Sequence, residues 1–301
     1  MTSAAAAAPT PFADRLADAV ERKRSQLVVG LDPVVDLLPV ELRGDAHVAR
    51  SAAADAVARF CCGIVDAVAP YAVAVKPQLA FFEALGADGM RAFEQACEYA
   101  RSAGLLVIAD AKRGDIGSTA RAYADAYLEG AEPRADALTV NAYLGRESVE
   151  PFIAAARRSG TGIFVLVKTS NAGGDVQDLQ LTDGRPLWHH VASLVAEWGE
   201  EIVGEVGLSS VGAVVGATHP RAVADARRLM PQAVILLPGI GAQGGAVSDL
   251  VRAFQSGPAS ALVAASRSID YAFRETGGDY REAAGAEAAR LKKEIWAASG
   301  W

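Results

Sequence analysis

Cysteine is scarce: three thiols in 301 residues, Cys61, Cys62 and Cys97, an odd number with no zinc-like spacing. That argues against a disulfide framework and points to reduced thiols in a cytoplasmic protein. Histidine is scarce too, with four in the chain. His189 and His190 are adjacent, and His47 and His219 have no ligand partners at a recognisable spacing, so no metal site is expected and structural or surface roles are assigned. There is no G-x-S-x-G elbow and no Cys/His arrangement that would mark a covalent nucleophile. No run approaches 18 strongly apolar residues, which removes a membrane span from consideration. A basic surface is missing as well: the net charge of −7 argues against nucleic-acid binding, which needs cations to displace counterions. The opening MTSAAAAAPTPF has no basic n-region, so residues 1–12 are expected to form a disordered lead-in to a single domain over 13–301.

What the chain does have is a series of short aliphatic runs separated by Ala-rich, helix-periodic segments. The runs are LVVGLD (27–32), AVAVKP (72–77), LLVIADAK (105–112), ALTVN (137–141), GIFVLVKTS (162–170), GAVVGAT (212–218), AVILLPGI (233–240) and ASALVAAS (259–266). Near-continuous apolar runs fit parallel strands covered on both faces. Between them lie helical patterns such as ARSAAADAVARFCCGIVDAVA, GMRAFEQACEYARSAG and STARAYADAYLEG. Strand–helix alternation implies right-handed βαβ units. Eight such strands in roughly 250 residues favour a closed (β/α)₈ barrel, with a doubly wound sheet as the alternative. The polar residues decide between them. Asp32, Lys76, Asp110, Lys112, Asn141, Ser170, Thr218 and Gly239 fall at or just past the C-terminal strand ends, the rim on which barrel enzymes build their sites.

Asp110-Ala111-Lys112-Arg113-Gly114-Asp115 carries the first constellation. Side-chain alternation sends Asp110 and Lys112 to the same side of a strand, into the barrel mouth. A D-x-K pair alone reads more readily as a structural salt bridge with a helix-start Asp beyond it. The further charges, Asp115 and Lys76, tip the reading toward chemistry, because a desolvated alternating array is costly to retain. An Asp beside each ammonium keeps it protonated. A protonated lysine above a substrate carbon can stabilise a carbanion and then donate its proton, and preorganised donors of this kind are worth about 3–4 kcal/mol each.

The second constellation follows the seventh and eighth strands: Pro238-Gly239-Ile240-Gly241-Ala242-Gln243-Gly244-Gly245, then Ser266-Arg267-Ser268. A lone G-x-G-x-x-G is also compatible with a plain turn. In this position, with Arg267 after the eighth strand to fork onto phosphate oxygens, it reads as a phosphate site. The Gly- and Asp-rich stretch 171–188 is a surface loop or a closing lid.

These residues together resemble the orotidine 5′-phosphate decarboxylase family in its longer bacterial form. The resemblance runs through VGLDP (29–33), VKPQLAFFE (75–83), ADAKRGDIGSTA (109–120), NAYLG (141–145), VLVKTSN (165–171), PGIGAQGG (238–245) and AASRSI (264–269). It implies decarboxylation of orotidine 5′-monophosphate to uridine 5′-monophosphate without metal or organic cofactor. It further implies Lys112 as proton donor to C6, Asp110 beside the departing carboxylate, and Lys76 completing the array near the ribose. Asp32 would bind the ribose, Ser170 would read the pyrimidine, and Gln243 and Arg267 would grip the phosphate, with Gln78 and Asn141 as further candidates. By the same resemblance Asp115 and Thr119 reach into a neighbouring subunit's site, which makes a homodimer the expected partner state. Metal-assisted sugar-phosphate relatives share D-x-K-x-x-D but carry an acidic ligand where this chain has Lys76. A non-catalytic binder of phosphorylated ligands is the alternative from outside enzymology.

Overall fold

The structure is a computed structural model that describes residues 8–130, 134–240 and 247–301. Eight parallel strands close into one barrel in sequence order, β8 returning to pair with β1. They are β1 (Leu27–Leu31), β2 (Ala74–Pro77), β3 (Leu106–Arg113), β4 (Ala137–Val140), β5 (Gly162–Lys168), β6 (Ser209–Val215), β7 (Ala233–Pro238) and β8 (Ala261–Ala265). The (β/α)₈ expectation holds, and the open doubly wound sheet does not.

Because successive strand residues face opposite sides, the barrel separates two cores. Leu27, Val29, Val75 and Val107 face outward to the helices. Val28, Ala74, Ile108, Ala137, Phe164, Val234, Leu236 and Leu262 fill the lumen. The lower end of that lumen is plugged by a helix over Phe12–Lys23, whose apolar residues Phe12, Leu16, Ala19 and Val20 recur at helical spacing and are all buried. The Phe12 ring meets Phe164 edge-on with centroids 5.9 Å apart. Arg15 pairs with Asp136, and the other Asp136 oxygen accepts the Val107 N–H at 2.8 Å, which fixes the plug to β3 and β4. Residue 12, assigned from sequence to the lead-in, is therefore a buried helix residue of the barrel floor. Its place is set by the tertiary contact with Phe164, which the local sequence does not announce.

The sixth strand starts earlier than the apolar run suggested, at Ser209 rather than 212. Its first two residues are polar, yet each hydroxyl finds an internal partner. Ser209 Oγ donates to the Gly199 carbonyl at 2.8 Å and accepts the Val211 N–H at 3.0 Å, while Ser210 Oγ accepts the Ala13 N–H. Thr218 then lies past the strand, beside Lys168 and His219 in a separate groove. Among the described residues no helix is long and apolar enough to cross a membrane, and all three cysteines are free thiols.

Candidate active site

The lumen is apolar until the last inward positions of the strands, where its lining changes abruptly to charge. A cavity of about 310 Å³ opens there, lined by Asp32, Lys76, Gln78, Asp110, Lys112 and Thr139 on one side and by Ser170, Gly239, Ser266 and Arg267 on the other.

Asp110 is the hub. Its Oδ2 accepts Lys76 Nζ at 2.5 Å and Gln78 Nε2 at 3.2 Å. Its Oδ1 accepts Lys112 Nζ at 2.6 Å and Thr139 Oγ1 at 3.0 Å. Burial alone would raise the Asp110 pKa, but Lys76 and Lys112 outweigh it and hold the carboxyl well below the usual carboxylate range. The same contest plays out in reverse at Lys76: burial works against its charge, and Asp110 with Asp32 overcomes it, so its pKa is raised. Both members are therefore charged at neutral pH. The two lysines differ in exposure. The Lys76 side chain is 8% exposed and Lys112 is 45% exposed, so Lys112 is the more accessible of the two lysines that line the cavity.

Lys112 does not arrive there by simple strand alternation. Its φ is +50°, and the pairing of β3 with β4 shifts register between Ala109 and Arg113. A left-handed conformation costs a residue with a Cβ about 1–2 kcal/mol. It is held by the Lys112 N–H donating to Thr139 Oγ1 at 2.9 Å. Thr139 thus serves both neighbours: it accepts from the strained backbone and donates to Asp110. Sequence reasoning passed over it, although a polar residue at an inward position of ALTVN was the available signal.

Asp32, at the end of β1, borders the cavity beside Ser266, and its Oδ1 is buried with no partner among the described residues. Burial raises its pKa, with Lys76 and the Ser266 hydroxyl pulling the other way. Ser170 sits just past β5 and is brought in by Gly216, since a Cβ on that residue would lie 2.9 Å from the Ser170 Cα. The chain beyond Ser170 is clasped back onto the strand end. Gln177 accepts the Thr169 N–H at 2.9 Å and donates to Thr169 Oγ1 at 2.8 Å. Lys168, buried, binds Asp178 at 2.7 Å and the Gly174 carbonyl at 3.1 Å.

Asp32, Lys76, Gln78, Asp110, Lys112, Ser170 and Arg267 are thus assembled around one cavity. Three candidates are not. Asp115, after the Gly114 turn, accepts the N–H of Ile116 at the start of the next helix. Thr119 is exposed on that helix. The Asn141 side chain turns back to accept the Tyr143 N–H at 3.0 Å. Gln243, with the rest of residues 241–246, lies outside the described residues. Among the described residues no cluster of three His, Cys, Asp or Glu is arranged to hold a metal ion, and Lys76 stands between Asp32 and Asp110.

Comparison with known proteins now has a geometry to bear on. Residues 25–273 match the model of the orotidine 5′-phosphate decarboxylase / HUMPS family. An orotidine 5′-phosphate decarboxylase of Rhodopirellula baltica is 48% identical over 270 residues, covering 87% of this chain and 89% of its own. A solved structure from Streptomyces avermitilis has a TM-score of 0.82 at 38% identity, each chain covered completely. The OMP decarboxylase of Leishmania donovani has a TM-score of 0.75 at 32% identity, covering 97% of this chain and all of its own. The chain belongs to the orotidine 5′-phosphate decarboxylase / HUMPS family, and its close relatives group it with the carboxy-lyases of that family.

Proposed function

We propose that this chain decarboxylates orotidine 5′-monophosphate to uridine 5′-monophosphate in pyrimidine synthesis, with Lys112 as the proton donor. The observation that carries this reading is the Lys76–Asp110–Lys112 array on the cavity wall, in which one lysine is packed and the other is nearly half exposed. In the reaction the C6–carboxylate bond breaks, carbon dioxide leaves, and the electron pair stays on C6. Lys112 stabilises that pair and donates an Nζ proton to C6, then regains a proton from solvent. Asp110 holds the ammonium at 2.6 Å and, being preorganised, does not reorient during the step.

Arg267 and Gly239 border the cavity from β8 and β7, across the barrel from β3, so a phosphate there lies away from the reacting carbon. Binding energy gathered at the phosphate is then available to hold the pyrimidine over Lys112. In this reading Asp32 and Lys76, which border the same cavity, meet the sugar between the two ends, and Ser170 meets the base. Lys76 also puts a cation where the metal-assisted relatives carry an acidic ligand, which favours chemistry without a divalent ion. Free thiols fit a reducing cytoplasm.

The dimer belongs to this reading. Asp115 and Thr119 stand outside their own cavity, and Ile116 between them, with Tyr143 and Leu144 in the connection after β4, are exposed at 48%, 90% and 51%. Exposed apolar side chains flanking unused polar ones fit a surface that completes a second subunit's site. The test is loss of orotidine monophosphate absorbance with purified protein, with and without excess EDTA. Chelator-insensitive conversion is expected, and Arg267→Ala should raise KM for the nucleotide. Tight uridine monophosphate binding with no turnover would replace the enzyme reading with that of a binding protein.

A further inference from the structure

Asp32 is held in place by the segment that carries Arg267. Immediately after β8, Ser266 sets its hydroxyl beside the Asp32 carboxyl. Three residues past Arg267, Asp270 Oδ2 accepts the backbone N–H of Asp32 at 3.0 Å. The next residue, Tyr271, donates its hydroxyl to the Asp32 carbonyl at 2.6 Å and accepts the Val34 N–H at 2.8 Å. Both backbone groups of Asp32 are therefore bound by two consecutive side chains at the end of the short helix Arg267–Asp270.

The surroundings make this link stiff. The Tyr271 ring stacks on Phe60 with centroids 6.0 Å apart, and Phe60 stacks in turn on Tyr280 at 5.5 Å. The hydroxyl is thus aimed by a packed aromatic column rather than by a free rotor. Gly30 clears the way for Ser266, because a Cβ on residue 30 would lie 1.8 Å from the serine Oγ. Asp270 is fully buried and its Oδ1 has no partner among the described residues. A leucine would fill such a position at far lower desolvation cost, so packing alone does not account for a carboxyl there.

We propose that Asp270 and Tyr271 are positioning residues that couple the phosphate end of the cavity to Asp32, so that an anion engaged at Arg267 sets the β1 rim for the sugar. The inference rests on the proposed nucleotide reaction for its ligand assignment, and it adds two residues that touch neither substrate nor reacting atoms. Binding at Arg267 draws on a helix whose far end is fastened to residues 32–34. Without the fastening, the two ends of the substrate would be bound independently.

The first readout is kinetic and splits the substrate. Tyr271→Phe removes both of its hydrogen bonds and keeps the ring. It should lower kcat/KM for orotidine monophosphate about tenfold, at roughly a fivefold effect per net bond less partial relaxation. For orotidine, which lacks the phosphate, the loss should stay within about twofold. Asp270→Asn keeps an acceptor for the Asp32 N–H and should stay near wild type, whereas Asp270→Leu should follow Tyr271→Phe. Equal losses on both substrates would mean a merely structural role and would overturn the proposal. The second readout needs no turnover: amide exchange of the peptide around residues 27–38, with and without inorganic phosphate. Phosphate should slow exchange there in the wild type and not in Tyr271→Phe. Equal protection in both, or none in the wild type, would overturn the coupling. Failure of the wild type to convert orotidine monophosphate would sink the assigned reaction, while the exchange result would still judge the link.

Discussion

Replacing Asp110 with asparagine removes one charge from the centre of the array and leaves its shape. In the native chain Lys76 has its ammonium 2.5 Å from Asp110 Oδ2, with both side chains less than 10% exposed. Taking one partner from a buried pair costs about 3–5 kcal/mol, because the remaining ion is desolvated without compensation. Asp32 also supports the Lys76 charge, so the lower end, about 3 kcal/mol, is expected. At about 2 °C or slightly more per kcal/mol for a chain of this size, Tm should fall by roughly 6 °C. The sign with pH follows from the two shifts. The Asp110 pKa is depressed in the fold, so its contribution is present above the unfolded carboxylate value and is lost as acid carries the pH down through the folded one. The Lys76 pKa is raised, so its contribution is complete below the unfolded lysine value and is lost only as pH rises through the folded one. Between about pH 5 and pH 10 the native pair therefore adds no pH dependence. In Asp110→Asn the main support for the Lys76 charge is gone, burial then lowers its pKa, and the stability deficit should shrink as pH rises toward 10. Thermal unfolding followed by circular dichroism at pH 6, 7.5 and 9 measures this. A variant as stable as the native protein at pH 7.5, or a deficit that grows with pH, would refute the reasoning.

Lys112→Gly and Lys112→Ala should both abolish turnover and lose the same ion pair with Asp110, but the glycine variant should be the more stable of the two by about 1 kcal/mol, since glycine adopts positive φ without the Cβ penalty; denaturant titration checks this, and a glycine variant no more stable than the alanine one would mean the φ of +50° stores no strain. Phe12→Ala should cost about 3–5 kcal/mol by opening a void on the barrel floor, read in the same titration, with little change in KM because the plug lies at the opposite end from the cavity. Mixing Asp115→Ala with Lys112→Ala subunits should restore part of the turnover that each lacks alone. No recovery despite demonstrated subunit exchange would mean that Asp115 does not serve a neighbouring site.

Much of the architecture was legible because a parallel barrel strand is buried on both faces and reads as an unbroken apolar run. The places where that rule weakened are those where polar groups are satisfied by tertiary partners. Ser209 and Ser210 extend β6 through bonds to Gly199 and Ala13, which no local pattern announces. Phe12 looked like the end of a tail, and only the void beneath Phe164 gives it a place. In the site, Asp110, Lys112 and Lys76 were visible because charge at the end of an apolar strand has few innocent explanations. Thr139 and Tyr271 were not visible, since a threonine in a strand and a tyrosine near a helix are ordinary residues until their hydroxyls are located. Alternation also gave the wrong route to Lys112: it reaches the cavity from a register shift with a left-handed backbone.

That detour bears on how two lysines around one aspartate are kept distinct. Regular alternation along β3 would continue the inward row begun by Ile108 and Asp110, packing Lys112 as Lys76 is packed on β2. The bulge and the positive φ lift it outward instead, so that its ammonium still touches Asp110 at 2.6 Å while nearly half the side chain remains accessible. Lys76 fixes the charge of Asp110 from beneath; Lys112, held by the same carboxylate from above, is free to meet a ligand. Thr139 binds both the lifted backbone and the carboxylate, so the strain and the ion pair are stabilised by one hydroxyl. In the proposed reaction the proton donor must be accessible to its substrate while the carboxylate that holds it stays fixed by its other partners. The third and fourth strands meet both requirements by breaking their register between Ala109 and Arg113.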